Sequence, residues 1–250
     1  MKTALVTGAT SGIGEATSKE LANIGFNLII CGRREEKLQA LKQELSQVSV
    51  RTACFDVRDK DECNRLLTPL IEETGVDLLI NNAGNAHGLS PIQNGDIDDW
   101  ESMIDINVKG LLYVSKVVMP QMITQKSGHI INIGSIAGKE VYPNGSVYCA
   151  SKHAVDAINN GMRIDLNPHG IKVSQVSPGL VETEFSLVRF KGNKEKADAV
   201  YDNMQPLVAK DIADIIKFMA LCPSHVNISD LIVLPTAQAG ATIVNRSATS

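Results

Sequence analysis

Short apolar segments that end in turn residues recur along this chain. They occupy residues 4–6, 27–31, 76–80, 129–133, 172–176 and 231–234. Their length and unbroken hydrophobicity are typical of strands that are buried on both faces. Longer segments with hydrophobic residues at helical spacing lie between them, such as residues 35–45 and 60–71. Because strand and helix alternate throughout, the pattern predicts an α/β fold with a doubly wound, Rossmann-type parallel sheet and helices on both faces.

The alternation runs from one end of the chain to the other without a linker or an internal repeat. We therefore expect residues 1–250 to form a single domain, since α/β folds of this length are common. The least regular stretch follows Pro178-Gly179 and contains Gly192 and several charges. We expect this stretch, at about residues 183–205, to form a partly helical lid over a substrate.

Composition and charge exclude several classes of protein. Hydrophobic residues make up 44% and charged residues 21%, as in soluble globular proteins. The net charge of -4, with scattered basic residues, gives no surface for nucleic acid or anionic lipid. The first apolar segment is too short for a secretion signal, and no apolar run approaches the roughly 20 residues that span a bilayer. The five cysteines form no C-x-x-C pair, which predicts reduced thiols, no metal site and a cytoplasmic location.

A glycine-rich turn directly follows the first strand. Residues 7–14 read TGATSGIG, and a helix is predicted over residues 15–24. This order places bare backbone N–H groups and the positive end of a helix beside a pyrophosphate, which the missing side chains allow to approach. Glycines in such a turn can also be purely conformational. The dinucleotide site that the motif predicts consists of Gly8, Thr10, Ser11, Gly12, Ile13 and Gly14.

Two arginines follow the second strand, where a chain that selects NAD usually carries an acid for the ribose 2′-hydroxyl. Residues 31–34 read CGRR here. Guanidinium groups match a 2′-phosphate in charge and in hydrogen-bond geometry, so Arg33 and Arg34 favour NADP over NAD. The alternative is an ordinary solvated helix start, although cations oppose the dipole at a helix N-terminus.

Tyr148 and Lys152 lie four residues apart in a predicted helix over residues 146–166, which places them on one face of it. A tyrosine that exchanges a proton near neutrality needs a nearby cation, and Lys152 can provide one. Ser135 and the sequence NNAG at residues 81–84 follow two other predicted strands. Because parallel strands end at one edge of a sheet, we expect these groups to meet in one crevice.

Along its whole length the chain resembles the short-chain dehydrogenase/reductase family. The resemblance rests on the glycine turn, the NNAG sequence and the spacing of Tyr148 and Lys152. The catalytic residues that it implies are Asn107, Ser135, Tyr148 and Lys152. The further residues that it implies for binding NADP(H) are Asp56, Val57, Asn82, Ala83, Gly84, Tyr148, Lys152, Pro178, Gly179, Val181 and Thr183.

The family mechanism assigns a role to each catalytic residue. Ser135 is expected to hydrogen-bond to the substrate oxygen, and Tyr148 to transfer the proton while the nicotinamide carries the hydride. Lys152 is expected to lower the pKa of Tyr148 and to hold the nicotinamide ribose, and Asn107 to keep a water that links Lys152 to solvent. Considered alone, Asn107 could be a helix-interior amide and Ser135 a helix cap.

Residues 179–192 and 223–236 are similar to the branch of the family that oxidises serine, allo-threonine and other 3-hydroxy acids with NADP. The implied partner is a small hydroxy acid or carbonyl compound. A reductase of sulfoacetaldehyde or another short aldehyde is an alternative, and a non-catalytic NADP sensor or a cofactor-free interaction protein would be of another class. The resemblance also implies a homotetramer built on the helices that begin near Asp99 and Ser146.

A substrate carboxylate needs a cation in the crevice, and Arg189 on the predicted lid is our candidate to bind it beside Ser135 and Tyr148. The alternative is that Arg189 only anchors the lid to an acidic neighbour such as Glu184. Three further side chains receive no catalytic role. They are His87, Tyr142 and Cys149, of which the first two could line the pocket and the third is expected to pack.

Overall fold

A seven-stranded parallel sheet forms the centre of the molecule. The structure is a computed structural model that describes residues 1–246. Its strands are β1 (Thr3–Thr7), β2 (Asn27–Gly32), β3 (Val50–Cys54), β4 (Leu78–Asn81), β5 (Gly128–Ile133), β6 (Ile171–Pro178), β7 (Val181–Glu182), β8 (Leu207–Val208) and β9 (Asp230–Val233). The order across the sheet is β3-β2-β1-β4-β5-β6-β9, and β7 pairs with β8 separately. The predicted parallel sheet is therefore confirmed.

Helices connect the strands as the hydrophobic spacing predicts. They are α1 (Gly12–Asn23), α2 (Glu35–Glu44), α3 (Lys60–Thr74), α4 (Ile97–Ile104), α5 (Leu111–Gln125), α6 (Ser146–Leu166), α7 (Glu184–Arg189), α8 (Lys194–Asp198) and α9 (Ala209–Leu221). A π-helical segment, Asp105–Gly110, joins α4 to α5. The helix predicted over residues 146–166 is confirmed, and the irregular region after β7 contains the short helices α7 and α8.

The strand β3 was missed because its sequence is not an apolar run. It reads Val50-Arg51-Thr52-Ala53-Cys54, and only Val50 and Ala53 are buried. The strand lies at one edge of the sheet, where it pairs with β2 alone. An edge strand keeps polar residues on its open side, so a search for unbroken hydrophobic segments does not find it.

Helices cover both faces of the sheet, as a doubly wound fold requires. Leu5 of β1 packs in a hydrophobic cluster with side chains of α3, α5 and α6. Its neighbours Ala4 and Val6 pack on the opposite face, in a cluster with side chains of α1, α2 and α9. Successive residues of a strand point to opposite faces, so alternate positions of one strand supply both cores.

The strand order reverses at β1. From β1 the chain builds outward through β2 to β3, and then returns to place β4, β5 and β6 on the other side. Ligands of open α/β sheets bind at the carboxyl ends of the strands where the order reverses. The topology therefore directs attention to the loops that follow β1 and β4.

Two classes of site are not found in the described residues. No helix there is both long and apolar enough to cross a bilayer. No group of three or more His, Cys, Asp or Glu side chains there is arranged to hold a metal ion.

The buried ring of His129 in β5 makes stability depend on pH. Its Nε2 lies 2.8 Å from the hydroxyl of Ser174 in β6. Burial, and to a lesser extent the charge of Lys172, lowers the pKa of His129 from its ordinary 6.5 to about 3. The folded chain therefore keeps this ring neutral at a pH where the unfolded chain takes up a proton.

We expect acid to weaken the wild type more than a His129→Gln variant. Stability that depends on a lowered pKa is present above about 6.5 and is lost as the pH falls toward the folded value. Between pH 7.5 and 5 the free energy of unfolding should fall by about 2 kcal/mol more in the wild type than in the variant. Urea unfolding at both pH values measures this difference. The exposed His169→Gln serves as the control, and equal pH dependence in wild type and His129→Gln would contradict the prediction.

Candidate active site

A groove of about 800 Å³ opens at the carboxyl ends of the central strands. It brings together nearly all of the residues that the sequence singles out. Those that line it are Gly8, Thr10, Ser11, Gly12, Ile13, Arg33, Arg34, Asp56, Val57, Asn82, Ala83, Gly84, Ser135, Tyr148, Lys152, Pro178, Gly179, Val181, Thr183 and Arg189. Gly14 and Asn107 are not part of the lining. Both lie behind the lining: Gly14 packs against Gly8 and Asn82, and Asn107 is hydrogen-bonded to Asn85.

The glycine turn after β1 packs closely against the loop after β4. A Cβ on Gly14 would lie 2.3 Å from the Gly8 carbonyl oxygen and 2.4 Å from Asn82 Nδ2, and Gly8 itself has a φ of +65°. Asn82 Nδ2 donates to the Thr7 carbonyl at 2.9 Å, and the backbone N–H groups of Asn82 and Ala83 donate to Thr7 Oγ1, each at 3.0 Å. Asn82 therefore holds the floor of the groove together.

Both predicted arginines lie at the groove and each has a carboxylate partner. Arg34 Nε and Nη2 donate to Thr10 Oγ1 and to the Thr10 carbonyl, at 3.2 and 3.0 Å. Arg34 Nη1 lies 2.9 Å from a carboxylate oxygen of Glu184 in α7. Arg33 Nη1 lies 3.5 Å from Asp56 Oδ2. The Arg34 guanidinium thus lies against the glycine turn, and that of Arg33 lies beside Asp56 in the groove wall.

Asp56, directly after β3, is kept ionised by its neighbours. Burial alone would raise its pKa, but the hydrogen bonds and charge of Arg58, together with the charge of Arg33, outweigh burial and lower the pKa. Arg58 Nη2 donates to Asp56 Oδ2 at 2.7 Å. An ionised carboxylate in this wall can accept a hydrogen bond from an N–H of a ligand.

Ser135 follows β5, Tyr148 lies in the first turn of α6, and the Ser135 hydroxyl lies close enough to that of Tyr148 to influence its pKa. Ser135 Oγ also accepts from the backbone N–H of Ala137 at 3.1 Å, so the residue caps a short helix as well. Burial and the nearby Tyr142 raise the pKa of Tyr148 above its ordinary value, while the Ser135 hydrogen bond and the charge of Arg189 lower it in part. Tyr148 therefore carries its proton at neutral pH.

Lys152 is buried one helical turn after Tyr148. Its Nζ donates to the Ile133 carbonyl at 2.9 Å, and burial lowers the pKa of its ammonium to about 8. That Lys152 lowers the pKa of Tyr148 stays a prediction. Among the charges near Tyr148, that of Arg189, whose guanidinium lies over the Tyr148 ring, lowers the pKa in part.

Asn107 is buried in the π-helical segment, behind the NNAG loop. Its Oδ1 accepts from the Asn85 N–H and its Nδ2 donates to the Asn85 carbonyl, both at 2.8 Å. Its Nδ2 also donates to Ser151 Oγ at 3.0 Å. A Cβ on Gly84 would lie 3.0 Å from Asn107 Oδ1 and 3.7 Å from Lys152 Nζ. The bare glycine therefore leaves Asn107 and Lys152 facing the same small space.

Arg189, the last residue of α7, packs between two tyrosine rings. Its Cζ lies 5.4 Å from the ring centre of Tyr142 and 5.7 Å from that of Tyr148. Its Nη2 donates to the Tyr142 hydroxyl at 2.9 Å, and its Nε donates to the Gly88 carbonyl at 3.2 Å. These contacts use two of the five N–H groups of a guanidinium, which leaves three donors beside the Tyr148 ring.

The alternative that Arg189 anchors the lid to Glu184 is wrong. Glu184 pairs with Arg34 and Lys37 instead, at 2.9 and 3.0 Å. In the described part of the chain, no carboxylate forms an ion pair with Arg189. Its charge is thus stabilised by aromatic rings and a carbonyl and is not neutralised.

Comparisons with known proteins identify the family of this chain. A family model described as short chain dehydrogenase matches residues 2–194. The chain belongs to this family.

Among curated relatives of this short-chain dehydrogenase, a sulfoacetaldehyde reductase of Chromohalobacter salexigens is 45% identical over 94% of each chain. An NADP-dependent 3-hydroxy acid dehydrogenase of Salmonella typhi is 44% identical over 97% of this chain and 99% of the relative. The solved structure of a serine dehydrogenase complexed with NADP+ superposes with a TM-score of 0.91 at 41% identity, covering 95% of this chain and 96% of the other.

No catalytic role is assigned to three side chains near the groove, Tyr142, His87 and Cys149. Tyr142 lines the groove and holds Arg189. His87 lies outside the groove lining, in a neighbouring cavity of about 280 Å³, and its ring nitrogen is 2.7 Å from Asn85 Nδ2. Cys149 is buried in a small hydrophobic cluster, and burial raises the pKa of its thiol. The expectation that Cys149 packs is confirmed.

Among the groove residues that sequence reasoning missed, two make specific contacts. Phe185 in α7 stands edge-on to Tyr148, with ring centres 5.8 Å apart. Gln238, near the C-terminal end, is buried and its Oε1 accepts from the Leu180 N–H at 2.9 Å. The only sequence signal for Phe185 is an aromatic residue in a polar segment, and Gln238 lies 58 positions from its partner, which leaves no local pattern to detect.

We expect Gly14→Ala in this short-chain dehydrogenase to weaken NADPH binding by about tenfold or more, because the added methyl must displace the Gly8 carbonyl from the turn. Titration of NADPH fluorescence measures the dissociation constant, and circular dichroism checks the fold. Gly161→Ala in α6 is the matched control, since a Cβ there meets no atom within 4 Å. Unchanged binding in Gly14→Ala would show that the close approach is not required.

Proposed function

We propose that this chain is an NADP-dependent oxidoreductase that transfers a hydride between nicotinamide and a small 3-hydroxy acid or the matching carbonyl compound. The observation that carries the proposal is Arg189, whose guanidinium lies over the Tyr148 ring without a carboxylate partner. A cation at this position suits a substrate whose reacting hydroxyl is separated by a short carbon chain from an anionic group. The names of the relatives support the same substrate class.

The groove fits a nicotinamide dinucleotide at its glycine end. A Cβ at Gly8 or Gly14 would fill space between the turn and Asn82, so the bare turn leaves backbone N–H groups open to a pyrophosphate. Arg33 and Arg34 stand where the phosphate of NADP would need cations, in place of the acid that selects NAD. When bound, the nicotinamide supplies the acceptor or the donor of the hydride.

The buried residues of the site handle the proton. Ser135 donates or accepts a hydrogen bond at the substrate oxygen and holds the Tyr148 hydroxyl beside it. In the reductive direction Tyr148 Oη–H gives its proton to the carbonyl oxygen as the new C–H bond forms. The Tyr148 oxygen is then a phenolate, which Arg189 stabilises across the ring.

Lys152 and Asn107 restore that proton. With its pKa near 8, Lys152 is mostly protonated at pH 7 and loses its charge as the pH rises above 8. Asn107 Oδ1 faces the same space as Lys152 Nζ beside Gly84, an arrangement that suits a water between them. We propose that such a water returns protons from solvent to Lys152 and hence to Tyr148.

A sulfonate is the second candidate for the anionic group. Sulfonate and carboxylate both accept hydrogen bonds from a guanidinium, and one relative is a sulfoacetaldehyde reductase. The two candidates share the site residues and differ only in the anion that Arg189 would bind.

We further propose one domain over residues 1–250 with a lid at 183–205, acting in the cytoplasm as a homotetramer without nucleic acid or membrane partners. The exposed Ile97 of α4 and Ile164 of α6 support self-association, since each is more than half exposed in the single chain. Buried free thiols such as Cys63, whose pKa burial raises to about 12, suit a reducing compartment.

We expect Tyr148→Phe to lower turnover strongly and to change cofactor binding little, because the variant lacks only the hydroxyl group that carries the transferable proton and keeps the ring. The rate constant kcat should fall about 10²- to 10⁴-fold, while the dissociation constant of NADPH stays within about twofold. Absorbance at 340 nm and NADPH fluorescence measure the two. Tyr113→Phe, at a half-buried tyrosine of α5 outside the groove, is the control. Residual activity near the wild-type rate would exclude Tyr148 as the proton donor.

The first experiment on the substrate follows absorbance at 340 nm with NADP+ or NAD+ and L-serine, L-allo-threonine or 3-hydroxypropanoate, and with NADPH and sulfoacetaldehyde. We expect NADP-dependent turnover of the hydroxy acids. Turnover of sulfoacetaldehyde alone would favour the sulfonate candidate.

Arg189→Met should then lower kcat/KM for the anionic substrates by about 10²- to 10³-fold, since a charge-assisted pair in a closed site is lost. Reduction of the uncharged propanal should change by less than about tenfold. Arg189→Lys keeps the charge but not the forked geometry of the guanidinium. Its kcat/KM for the anionic substrates should lie between those of the wild type and of Arg189→Met. An equal loss for charged and uncharged substrates would refute anion recognition by Arg189.

A further inference from the structure

One carboxylate joins the lid to the cations of the cofactor end of the groove. Glu184, the first residue of α7, has one oxygen 2.9 Å from Arg34 Nη1 and the other 3.0 Å from Lys37 Nζ. Arg34 at the same time donates to the side chain and the carbonyl of Thr10. The guanidinium therefore bridges the glycine turn and the lid.

These contacts mean that the cations at the end of β2 are not free for a ligand. Arg33 shares its charge with Asp56, and Glu184 takes a donor from both Arg34 and Lys37. A ribose 2′-phosphate carries a charge of about −1.5 to −2 at neutral pH, and its oxygens need the same donors. Glu184 and the phosphate would therefore compete for Arg34 and repel one another while both are present.

We propose that Glu184 occupies the phosphate-binding cations until a ribose 2′-phosphate replaces it, and that Lys37 is the third cation of this subsite. The inference rests on the NADP-dependent function proposed above. It adds Glu184 and Lys37 to the glycine turn and to the two arginines, Arg33 and Arg34. In this exchange, the phosphate takes the place of the Glu184 carboxylate on the same two cations, Arg34 and Lys37.

The helix α7 connects the cofactor end of the groove with its substrate end. Glu184 begins this six-residue helix and Arg189 ends it. The middle of the helix is tied down separately, since the Ser186 hydroxyl lies 2.7 Å from that of Tyr201, which also donates to the Val181 carbonyl. Release of Glu184 thus frees the first turn of α7 and leaves the rest anchored. A cofactor without the 2′-phosphate would not release it.

The test compares NADPH with NADH, which differ only in the phosphate. Glu184→Gln removes the competing charge and keeps the shape of the side chain. We expect it to lower the dissociation constant of NADPH by about three- to tenfold, the range for the loss of exposed charge contacts, and to leave that of NADH within about twofold. Both dissociation constants are measured by titration, from the increase in fluorescence of the reduced nicotinamide when the cofactor binds.

Two further variants identify the residue responsible. Glu182→Gln changes the same charge at an exposed residue that forms no ion pair among the described residues, and should leave both constants within about twofold. Lys37→Met should raise the dissociation constant of NADPH by about three- to tenfold and spare that of NADH.

The outcomes separate this inference from the proposed function. Weaker or unchanged NADPH binding in Glu184→Gln, in a wild type that prefers NADPH, would overturn the role of Glu184 and leave the oxidoreductase proposal standing. An equal gain for NADH would overturn it as well, because the effect would not depend on the phosphate. A wild type that binds NADH as tightly as NADPH would remove the cofactor proposal and this inference with it.

Discussion

The groove depends on the close approach of two loops, the glycine turn after β1 and the NNAG loop after β4. Thr7 and Asn82 fasten the loops through hydrogen bonds of 2.9 to 3.0 Å, and Gly14 leaves the space in which Asn82 lies. The loops meet because β1 and β4 are neighbouring parallel strands at the point where the strand order reverses. A side chain at Gly14 would therefore disturb the floor of the groove.

Burial then determines the protonation states of the residues above that floor. Removing Tyr148 and Lys152 from water favours the neutral form of each, which raises the pKa of the phenol and lowers that of the ammonium. A fixed positive charge nearby stabilises the phenolate that remains when Tyr148 gives up its proton. Arg189 supplies one across the Tyr148 ring, and the tyrosine hydroxyl and carbonyl that it contacts do not cancel its charge.

The short helix α7 carries a charge at each of its ends. Glu184 faces the cations of the cofactor end, and Arg189 faces the tyrosines of the substrate end. A single helical element therefore contacts both parts of the groove. The charge of a ligand at either end of the groove therefore meets a residue of the same helix.

The parallel sheet apart from its edge strand, the order of strand and helix, and the residues at the strand ends could be predicted from the sequence. These depend on the hydrophobic period and on chain direction, which are local properties of the sequence. Which charges meet could not be predicted in this way, because it depends on the folded arrangement of the chain. Arg34 pairs with a carboxylate 150 positions away, and Arg189 meets a carbonyl 101 positions before it. The pairing of the edge strand β3, the hydrogen bonds of Asn107 and the burial that shifts the pKa values of Tyr148 and Lys152 likewise arise from contacts between distant parts of the chain, and no local pattern encodes such contacts.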